Sequence, residues 1–147
     1  MASSQFDAES ALFERFGTLS YTYVSYPNGP KIESPSTSIN YSLAIIYGDG
    51  NSVGLGTDAA TRYRGIFQVT IRVPVTSATG DAVGLYDAKV SASAIMALFK
   101  RGTSIGYPAA APETYIHCGS PTSVHLGNVT PEWYTIVVRV PFWEDVA

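Results

Sequence analysis

The stretch from Tyr63 to Gly102 constrains the fold of this chain more than any other, because it joins two different periodicities. Between Tyr63 and Pro74 the residues alternate in polarity. The apolar set is Phe67, Val69, Ile71 and Val73, and the polar set is Gln68, Thr70 and Arg72. A period of two predicts a half-buried β-strand. Pro74 is suited to the strand end because it has no amide donor.

A helix is expected after this strand. Apolar side chains recur at steps of three and four residues, at Leu85, Ala88, Ala92, Ile95 and Phe99. This spacing predicts an α-helix over residues 84–101 with one apolar face. Lys100 and Arg101 place positive charge at its carboxyl end, and Gly102 can take the left-handed conformation that ends a helix.

The rest of the chain predicts a second helix and further strands. Ser4 and Asp7 have the spacing of a capping box, so a helix is expected over residues 4–16. Strands are predicted over residues 20–26, 41–47, 113–119, 122–126 and 133–143. The apolar run from Leu43 to Ile46 suggests burial on both faces. Loops are expected over residues 31–40, 48–56 and 104–111, and a frayed tail over 144–147. Because no repeat or linker is present, residues 1–147 are predicted to form one domain.

Composition narrows the classes of function. Charged residues make up 14% of the 147 residues, against a usual value of about 25%, and there are ten tyrosines. Tyrosine is favoured both in protein interfaces and in strands, so a partner-binding surface and an ordinary β-rich chain are both open interpretations. The net charge of −3 argues against a dedicated nucleic-acid-binding domain.

The sequence predicts no disulfide and no membrane segment. Cys118 is the single cysteine, which rules out an internal disulfide and fits a cytosolic origin. The amino terminus has no signal-peptide pattern, and no run approaches the roughly 18 apolar residues of a membrane-spanning helix. We therefore expect a soluble protein, or part of a soluble assembly, with no membrane partner.

Three features could suggest catalysis or ligand binding, and each has a simpler interpretation. The glycine-rich residues 48–56 lack the Gly-Lys-Ser/Thr ending of a phosphate-binding loop and precede a strand instead of a helix. His117 adjoins Cys118 and so points to the opposite face of a strand, and nothing places His125 beside the thiol. The carboxylates are scattered without metal-ligand spacing, at Asp49, Asp58, Asp81 and Asp87. We expect no catalytic residue, no cofactor and no metal.

Four arginines form the remaining candidate site, at Arg62, Arg64, Arg72 and Arg139. The first three share the parity of the polar face of the strand that ends at Pro74, and the fourth lies on the polar face of the last strand. If these two strands are neighbours, the arginines form a basic stripe on one face of the sheet. The alternative is that they are ordinary solvated arginines, some of them paired with Glu132 or Asp58.

A family resemblance rests on several of these segments. Residues 63–69, Tyr-Arg-Gly-Ile-Phe-Gln-Val, lead through the proline-ended strand to the alanine-rich helix that closes on Leu-Phe-Lys-Arg-Gly. This stretch resembles the tail terminator (tail completion) proteins of long-tailed bacteriophages, and more narrowly a phage-related family long catalogued as a domain of unknown function. Residues 115–121 resemble that family's strand after the helix, and residues 132–142 its closing strand. The resemblance covers nearly the whole chain and is weakest over residues 48–61.

The resemblance implies both a fold and a function. The fold is an α+β domain with a mostly antiparallel sheet of about four to six strands and two helices, about 4–16 and 84–101, packed on one face. The function is a ring, usually a homohexamer, that caps the tail tube protein, ends tube polymerisation and offers a surface to the head–tail connector protein. The genome passes through such a ring without specific binding. The expected place is the head-proximal end of the virion tail, after assembly in the host bacterial cytoplasm.

The resemblance brings no catalytic residues, so the site predictions concern an interface or the lumen of the ring. The expected residues are Asp49, Asn51, Arg62, Arg64, Arg72 and Arg139. Loops at 48–61 and 76–83 are expected to order on docking. The alternatives are a head–tail connector or neck adaptor of the same virion, a small enzyme dependent on Cys118 or a carboxylate pair, and a monomeric ligand-binding domain with a sizeable apolar pocket.

Overall fold

A computed structural model of the chain describes residues 7–27, 29, 38–52, 54–56, 60–74, 84–108, 110–112, 114–130 and 133–146. Within them the helices are α1 (Asp7–Gly17) and α2 (Gly84–Leu98). The strands are β1 (Val24–Ser25), β2 (Asn40–Ser52), β3 (Thr61–Pro74), β4 (Ser104–Tyr107), β5 (Thr114–Cys118), β6 (Thr122–Thr130) and β7 (Trp133–Val146).

The strands form one sheet in the order β1-β2-β3-β7-β5-β4, and β6 also pairs with β7. The pairings are antiparallel except for the short parallel contact of β1 with β2. The expected α+β class with a mostly antiparallel sheet is therefore confirmed. Within the described residues the sheet has seven strands, which is one more than the upper end of the expectation.

The centre of the sheet is the pairing of β3 with β7. It runs from Thr61 opposite Val146 to Pro74 opposite Trp133 without a shift of register. Because side chains alternate along a strand, this pairing aligns the apolar sets of both strands on one face. The aligned side chains are all buried: Phe67, Val69, Ile71, Val73, Ile136, Val138, Val140 and Phe142.

Both helices cover this apolar face. From α1 the buried side chains are Ala8, Ala11, Leu12 and Phe16, and from α2 and the residue after it Ala88, Ala92, Ile95 and Phe99. The ring of Phe67 lies at its centre, 5.2 Å from the ring centroid of Phe99 and 6.3 Å from that of Phe16. The predicted helix face is confirmed, although the Leu85 side chain lies outside the described part.

Two polar contacts fix the helices in place. The buried hydroxyl groups of Tyr41 on β2 and Ser91 on α2 lie 3.1 Å apart. Burial raises the pKa of Tyr41 to about 12, so this phenol stays neutral at physiological pH. The Arg15 Nε of α1 donates to the Leu98 carbonyl at 3.0 Å, which satisfies an acceptor at the carboxyl end of α2.

Strands β5 and β6 pair one after the other with the same edge of β7. Cys118 pairs with Phe142, Thr122 pairs with Arg139, and between these pairs the Gly119 amide donates to the Pro141 carbonyl at 2.7 Å. Beyond this point β6 pairs with β7 in the same sheet. The side chains of Ser123 and His125 share the core face by register, but they are exposed even though their cross-strand partners on β7 are buried.

The strand predicted over residues 20–26 is wrong except for the two residues of β1. Ser20 and Tyr23 have positive φ angles of 54° and 58°. An extended strand requires negative φ, so these residues break the segment on the amino-terminal side of β1. The alternation of the sequence does not reveal this local geometry.

Other strand boundaries also differ from the prediction. The loop expected over residues 104–111 begins with β4, which pairs with β5 from Ser104 opposite His117 onward. The tail expected to fray continues β7 to Val146, because β3 provides a pairing partner as far as Thr61. Residues 48–52 belong to β2 and not to the loop, with a register shift between Tyr47 and Gly50. Strand β6 extends past its predicted end at Leu126.

The helices agree with the prediction within a few residues at their ends. Residues 4–6 of the expected first helix lie outside the described residues, as do residues 31–37 of the loop expected over 31–40 and the loop expected over 76–83. Asn40, the last residue of that first loop, begins β2. Gly102 has a φ of +87°, in the left-handed region expected for it, but it does not end the helix. It follows the last residue of α2, Leu98, by four positions, and its amide donates to the Cys118 carbonyl at 3.0 Å. No helix in the described residues is long and apolar enough to cross a membrane.

We predict that Phe67→Ala lowers the free energy of unfolding by about 3–5 kcal/mol, because a fully buried ring contacting aromatic rings from both helical segments is removed. Urea titration followed by circular dichroism measures the change. Val90→Ala is the matched control, since Val90 on α2 is 50% exposed and its truncation is expected to change the free energy by less than about 0.5 kcal/mol. Equal losses in the two variants would contradict the placement of the core.

Candidate functional site

The face of the sheet opposite the helices carries the candidate site, and we call it the open face. Its central positions are Arg62, Arg64, Ile66, Gln68, Thr70 and Arg72 of β3, and Thr135, Val137, Arg139, Pro141, Trp143 and Asp145 of β7. They follow from the same register that buries the core, since each lies between two core positions. The described helices both pack on the other side of the sheet.

All four predicted arginines lie on the open face, so the basic stripe expected for neighbouring strands is present. Arg139 lies opposite Gln68, midway between Arg64 and Arg72, and its Nε donates to the Gln68 Oε1 at 3.2 Å. Steps of four residues along an antiparallel strand correspond to about 13 Å. Arg64, Arg139 and Arg72 are exposed and mark the stripe at about these intervals.

An apolar row crosses the face between the arginines. Ile46 of β2, Ile66 of β3 and Pro141 of β7 stand opposite one another in register. Ile46 is 53% exposed, so the burial expected on both faces of its strand is wrong at this position. The row lies between the level of Arg64 and the level of Arg139, which places apolar surface among the positive charges.

A cluster of polar and aromatic groups occupies the end of the face near Asp145. The carboxylate of Asp145 accepts two bonds from Arg62, from Nε at 2.8 Å and from Nη2 at 3.1 Å. These bonds lower the pKa of Asp145 below its ordinary value and raise the pKa of Arg62. The Arg62 guanidinium lies 5.9 Å from the centroid of the Trp143 ring, which stacks on His117 at 5.2 Å.

The remaining predicted residues have mixed outcomes. Asn51 lies opposite Arg62 in β2, and Asp49 falls in the register shift of the same strand, but the side chains of both are outside the described residues. Glu132 and Asp58, the carboxylates expected to pair with the arginines, also lie outside the described residues. The observed partner of Arg62 is Asp145, which was expected to belong to a frayed tail.

Sequence reasoning missed the apolar and aromatic members of the open face. Pro141 and Trp143 share the parity of Arg139, and this signal could have found them. Ile46 could not be assigned in this way, because its face depends on pairing with Ile66. Glu144 was also missed, and it is buried on the core side of β7. Burial raises the pKa of Tyr47 above its ordinary value, as do the hydrogen bond from the Tyr47 hydroxyl to Glu9 at 2.8 Å and, less strongly, the charge of Glu144.

The groups once considered for catalysis are not arranged for it. Cys118 is buried on the core face, and burial raises the pKa of its thiol to about 11. His117 points to the open face, where its Nδ1 lies 3.0 Å from the Ser104 Oγ. His125 lies on β6, with its Nδ1 3.4 Å from the Tyr134 hydroxyl. Among the described residues, no group of three or more His, Cys, Asp or Glu side chains could hold a metal ion.

Comparison with known proteins gives a family match for this architecture. A family model described as "Phage tail terminator protein" matches residues 8–142. The match begins inside α1 and ends on β7, so it contains the whole core and nearly all of the open face. A search of curated proteins found no match.

We predict that the Cys118 thiol reacts with a maleimide at least 100-fold more slowly in the native protein than in urea at the same pH. The reason is that burial removes access and a pKa raised from 9.0 to about 11 lowers the thiolate fraction about 100-fold. Mass spectrometry of timed samples measures both rates, and the urea sample is the control. Rapid labelling of the native protein would indicate an accessible, activated thiol.

We predict that Asp145→Asn lowers the free energy of unfolding at pH 7 by less than about 1 kcal/mol, because the pair with Arg62 is largely solvated. The pKa of Asp145 is lowered by folding, so the contribution is present above the unfolded pKa of about 3.9 and is lost as the pH falls through the folded value. Urea titrations of wild type and variant across pH 2–7 should therefore converge at low pH.

Arg62→Gln and the double variant complete this test as a double-mutant cycle. As the pH falls, the coupling energy between the two residues should decrease in parallel with the stability difference between wild type and Asp145→Asn. A coupling that is unchanged at pH 2 would exclude the ion pair as its source.

Proposed function

Because this chain belongs to the phage tail terminator family, we propose that it caps the head-proximal end of the tail tube as a ring. The ring ends polymerisation of the tube protein and provides the surface to which the head joins. The observation that carries the proposal is the family match over residues 8–142, within a family of structural proteins of the phage tail. A role in the phage tail follows from membership, and the ring and its position are our inference.

The two sides of the sheet suit this function because they differ. One side carries the helices, and the open face carries arginines and apolar side chains. Contacts between unlike surfaces are heterologous, and such contacts can close into a ring. A ring of this kind has two different ends. It can therefore bind the tube at one end without repeating the tube's own growing surface at the other.

The proposed partners are further copies of the chain in a homohexamer, the tail tube protein and the head–tail connector protein. The genome passes through the ring without specific binding, and the net charge of −3 is consistent with weak attraction for DNA. Assembly takes place in the host bacterial cytoplasm. Asp49, Asn51 and the four arginines of the open face are proposed to lie at an interface or in the lumen.

The family match favours the terminator over a head–tail connector or neck adaptor, which would share the size and the ring symmetry. The enzyme alternative is not favoured by any observation, since the family is structural and Cys118 is buried with a raised pKa. The two functions in the virion differ in what the ring binds, and binding to tubes therefore separates them.

We predict that the protein binds one end of purified tail tubes of the same phage and stops their growth. Tubes polymerised with increasing amounts of the protein should be shorter and should carry a cap in negative stain. An assembly of about six subunits of 15.7 kDa should be present either in the free protein, where light scattering over a wide concentration range detects it, or in the cap on the tubes, where negative stain shows it. Tubes that gain no cap and elongate at the unaltered rate would exclude the terminator function in favour of the connector.

A further inference from the structure

Two long stretches of strand edge have no strand beside them among the described residues. On one side of the sheet, β6 pairs only with β7. On the other side, β1 pairs with β2 at Tyr41 and Ser42, and no described strand follows it along residues 43–52, which we call the outer edge of β2. The amide and carbonyl groups of a strand edge are a template for a further strand. Each of these edges can therefore extend the sheet into another chain.

Neither edge is protected in the usual way against such pairing. Charged side chains and proline normally protect an edge strand. Strand β6 contains neither, and its side chains from Thr122 to Leu126 are all exposed. The outer edge of β2 has no proline and one charged residue, Asp49. Val124 and Ile46 add exposed apolar side chains to the two edges, so both are suited to pairing with an uncharged strand.

The two edges have the polarity of an antiparallel pair. The pairings of β2 with β3, β3 with β7 and β7 with β6 are all antiparallel, so β6 runs opposite to β2. When copies of the chain stand side by side around an axis, β6 of one copy meets β2 of the next as an antiparallel neighbour, the slightly more stable arrangement. The chain therefore carries both halves of the contact.

We propose that β6 of one subunit pairs with the outer edge of β2 in the next subunit, so that the sheets join into a closed wall around the ring. The contact is between unlike surfaces, as a ring requires. The proposal rests on the proposed function and names the surfaces by which the ring subunits join.

The positions of the two edges along the strands fit a closed sheet. Within one subunit Val124 lies at the level of Ser42, through the cross-strand pairs with Val137 and Thr70. The outer edge of β2 begins beyond Ser42, so the two edges meet only if neighbouring subunits are shifted along their strands. A closed sheet requires such a shift, because its strands tilt by roughly 35–45° from the axis.

The size of this shift predicts the register of the contact. Four strands spaced by about 4.8 Å give each subunit a width of about 19 Å, and the tilt then shifts neighbouring subunits by about 13–19 Å. This distance corresponds to about four to six residues of a strand. A shift of about four residues places Val124 opposite Ile46 of the next subunit. Both side chains are apolar and belong to the open face.

The hand of the sheet decides which face lines the ring. The Pro141 carbonyl on the open face of β7 points toward the side of β5 and β6, because it accepts from the Gly119 amide. For L-residues this places β6 on the left and β2 on the right, when the sheet is viewed from the helices with β7 pointing upward. Strands of a closed sheet viewed from outside rise to the right, so each subunit on the right is shifted upward.

An upward shift brings β6 of the right-hand subunit level with the outer edge of β2 only if the helices are outside. With the helices inside, the same shift moves the two edges apart. In the proposed ring the open face therefore lines the lumen, and Arg64, Arg139 and Arg72 face the channel.

The test joins the two edges covalently. Ile46→Cys and Val124→Cys are made as separate variants, mixed, assembled alone and on tail tubes, and treated with a short bis-maleimide that spans opposite and diagonal cross-strand positions. The mixture should give covalent dimers with one chain of each variant, and the double variant should give covalent rings of the wild-type size. Wild type controls for reaction of the buried Cys118.

Ser123→Cys is the matched control, because Ser123 is exposed beside Val124 but its side chain points to the other face of the sheet. With Ile46→Cys it should cross-link at least about 10-fold more slowly than Val124→Cys does. Rings in which Val124→Cys does not cross-link to Ile46→Cys would overturn the proposal. Dimers formed by Val124→Cys alone would also overturn it, since they indicate a contact between like edges.

Val124→Lys tests the same contact without a cross-linker. A charge at the edge opposes strand pairing, so this variant should need at least about 10-fold higher concentration than wild type to form rings. Val90→Lys makes the same change of charge at an exposed position of α2 and should assemble as wild type does. Equal assembly of Val124→Lys and wild type would contradict the edge contact.

The same data separate this inference from the proposed function. If wild type forms rings or caps tubes and the two variants do not cross-link, the terminator function stands and the edge contact is wrong. If wild type does neither but the variants still cross-link to each other, the edge contact stands and the terminator function fails. If wild type does neither and no cross-link forms, both fail.

Discussion

The antiparallel pairing of β3 with β7 is the constraint on which the rest of the structure depends. Because it keeps one register from Thr61 to Pro74, a single alternation decides which side chains form the core and which form the open face. A slip of one residue would bury Arg64 and Arg72 and expose Phe67 and its neighbours. The fold and the basic face are therefore two results of the same register, and neither can change without the other.

Local periodicity was enough to predict the elements with the strongest patterns. The alternation in β3 and the three-and-four spacing in α2 arise because each element buries one face. Burial of one face requires apolar residues at regular intervals, and these intervals can be read from the sequence. Strand segments without such a pattern, which depend on pairing with distant residues, were not predicted. Strand β4 depends on β5, and the extension of β7 to Val146 depends on β3, so neither has a local signal.

The candidate site likewise has one part that could be predicted from the sequence and one part that could not. The arginine stripe could be predicted from the alternation of side chains along each strand, provided that the strands of Arg72 and Arg139 are neighbours. The apolar row could not, because Ile46, Ile66 and Pro141 come from three strands and meet only in the assembled sheet. The family resemblance seen in the sequence is confirmed by the match over residues 8–142, since it rests on the order of elements and not on a catalytic signature.

Strand β6 extends the sheet beyond the part that the hydrophobic core covers. Its Ser123 and His125 are exposed on the side of the helices, although their partners Val138 and Ile136 are fully buried. The strand is fixed to β7 by backbone pairing along one edge, and on this side the His125 ring lies 6.5 Å from the Tyr134 ring, centroid to centroid. The chemical character of this edge can therefore change at Ser123 and His125 without altering the hydrophobic core, because neither side chain belongs to it.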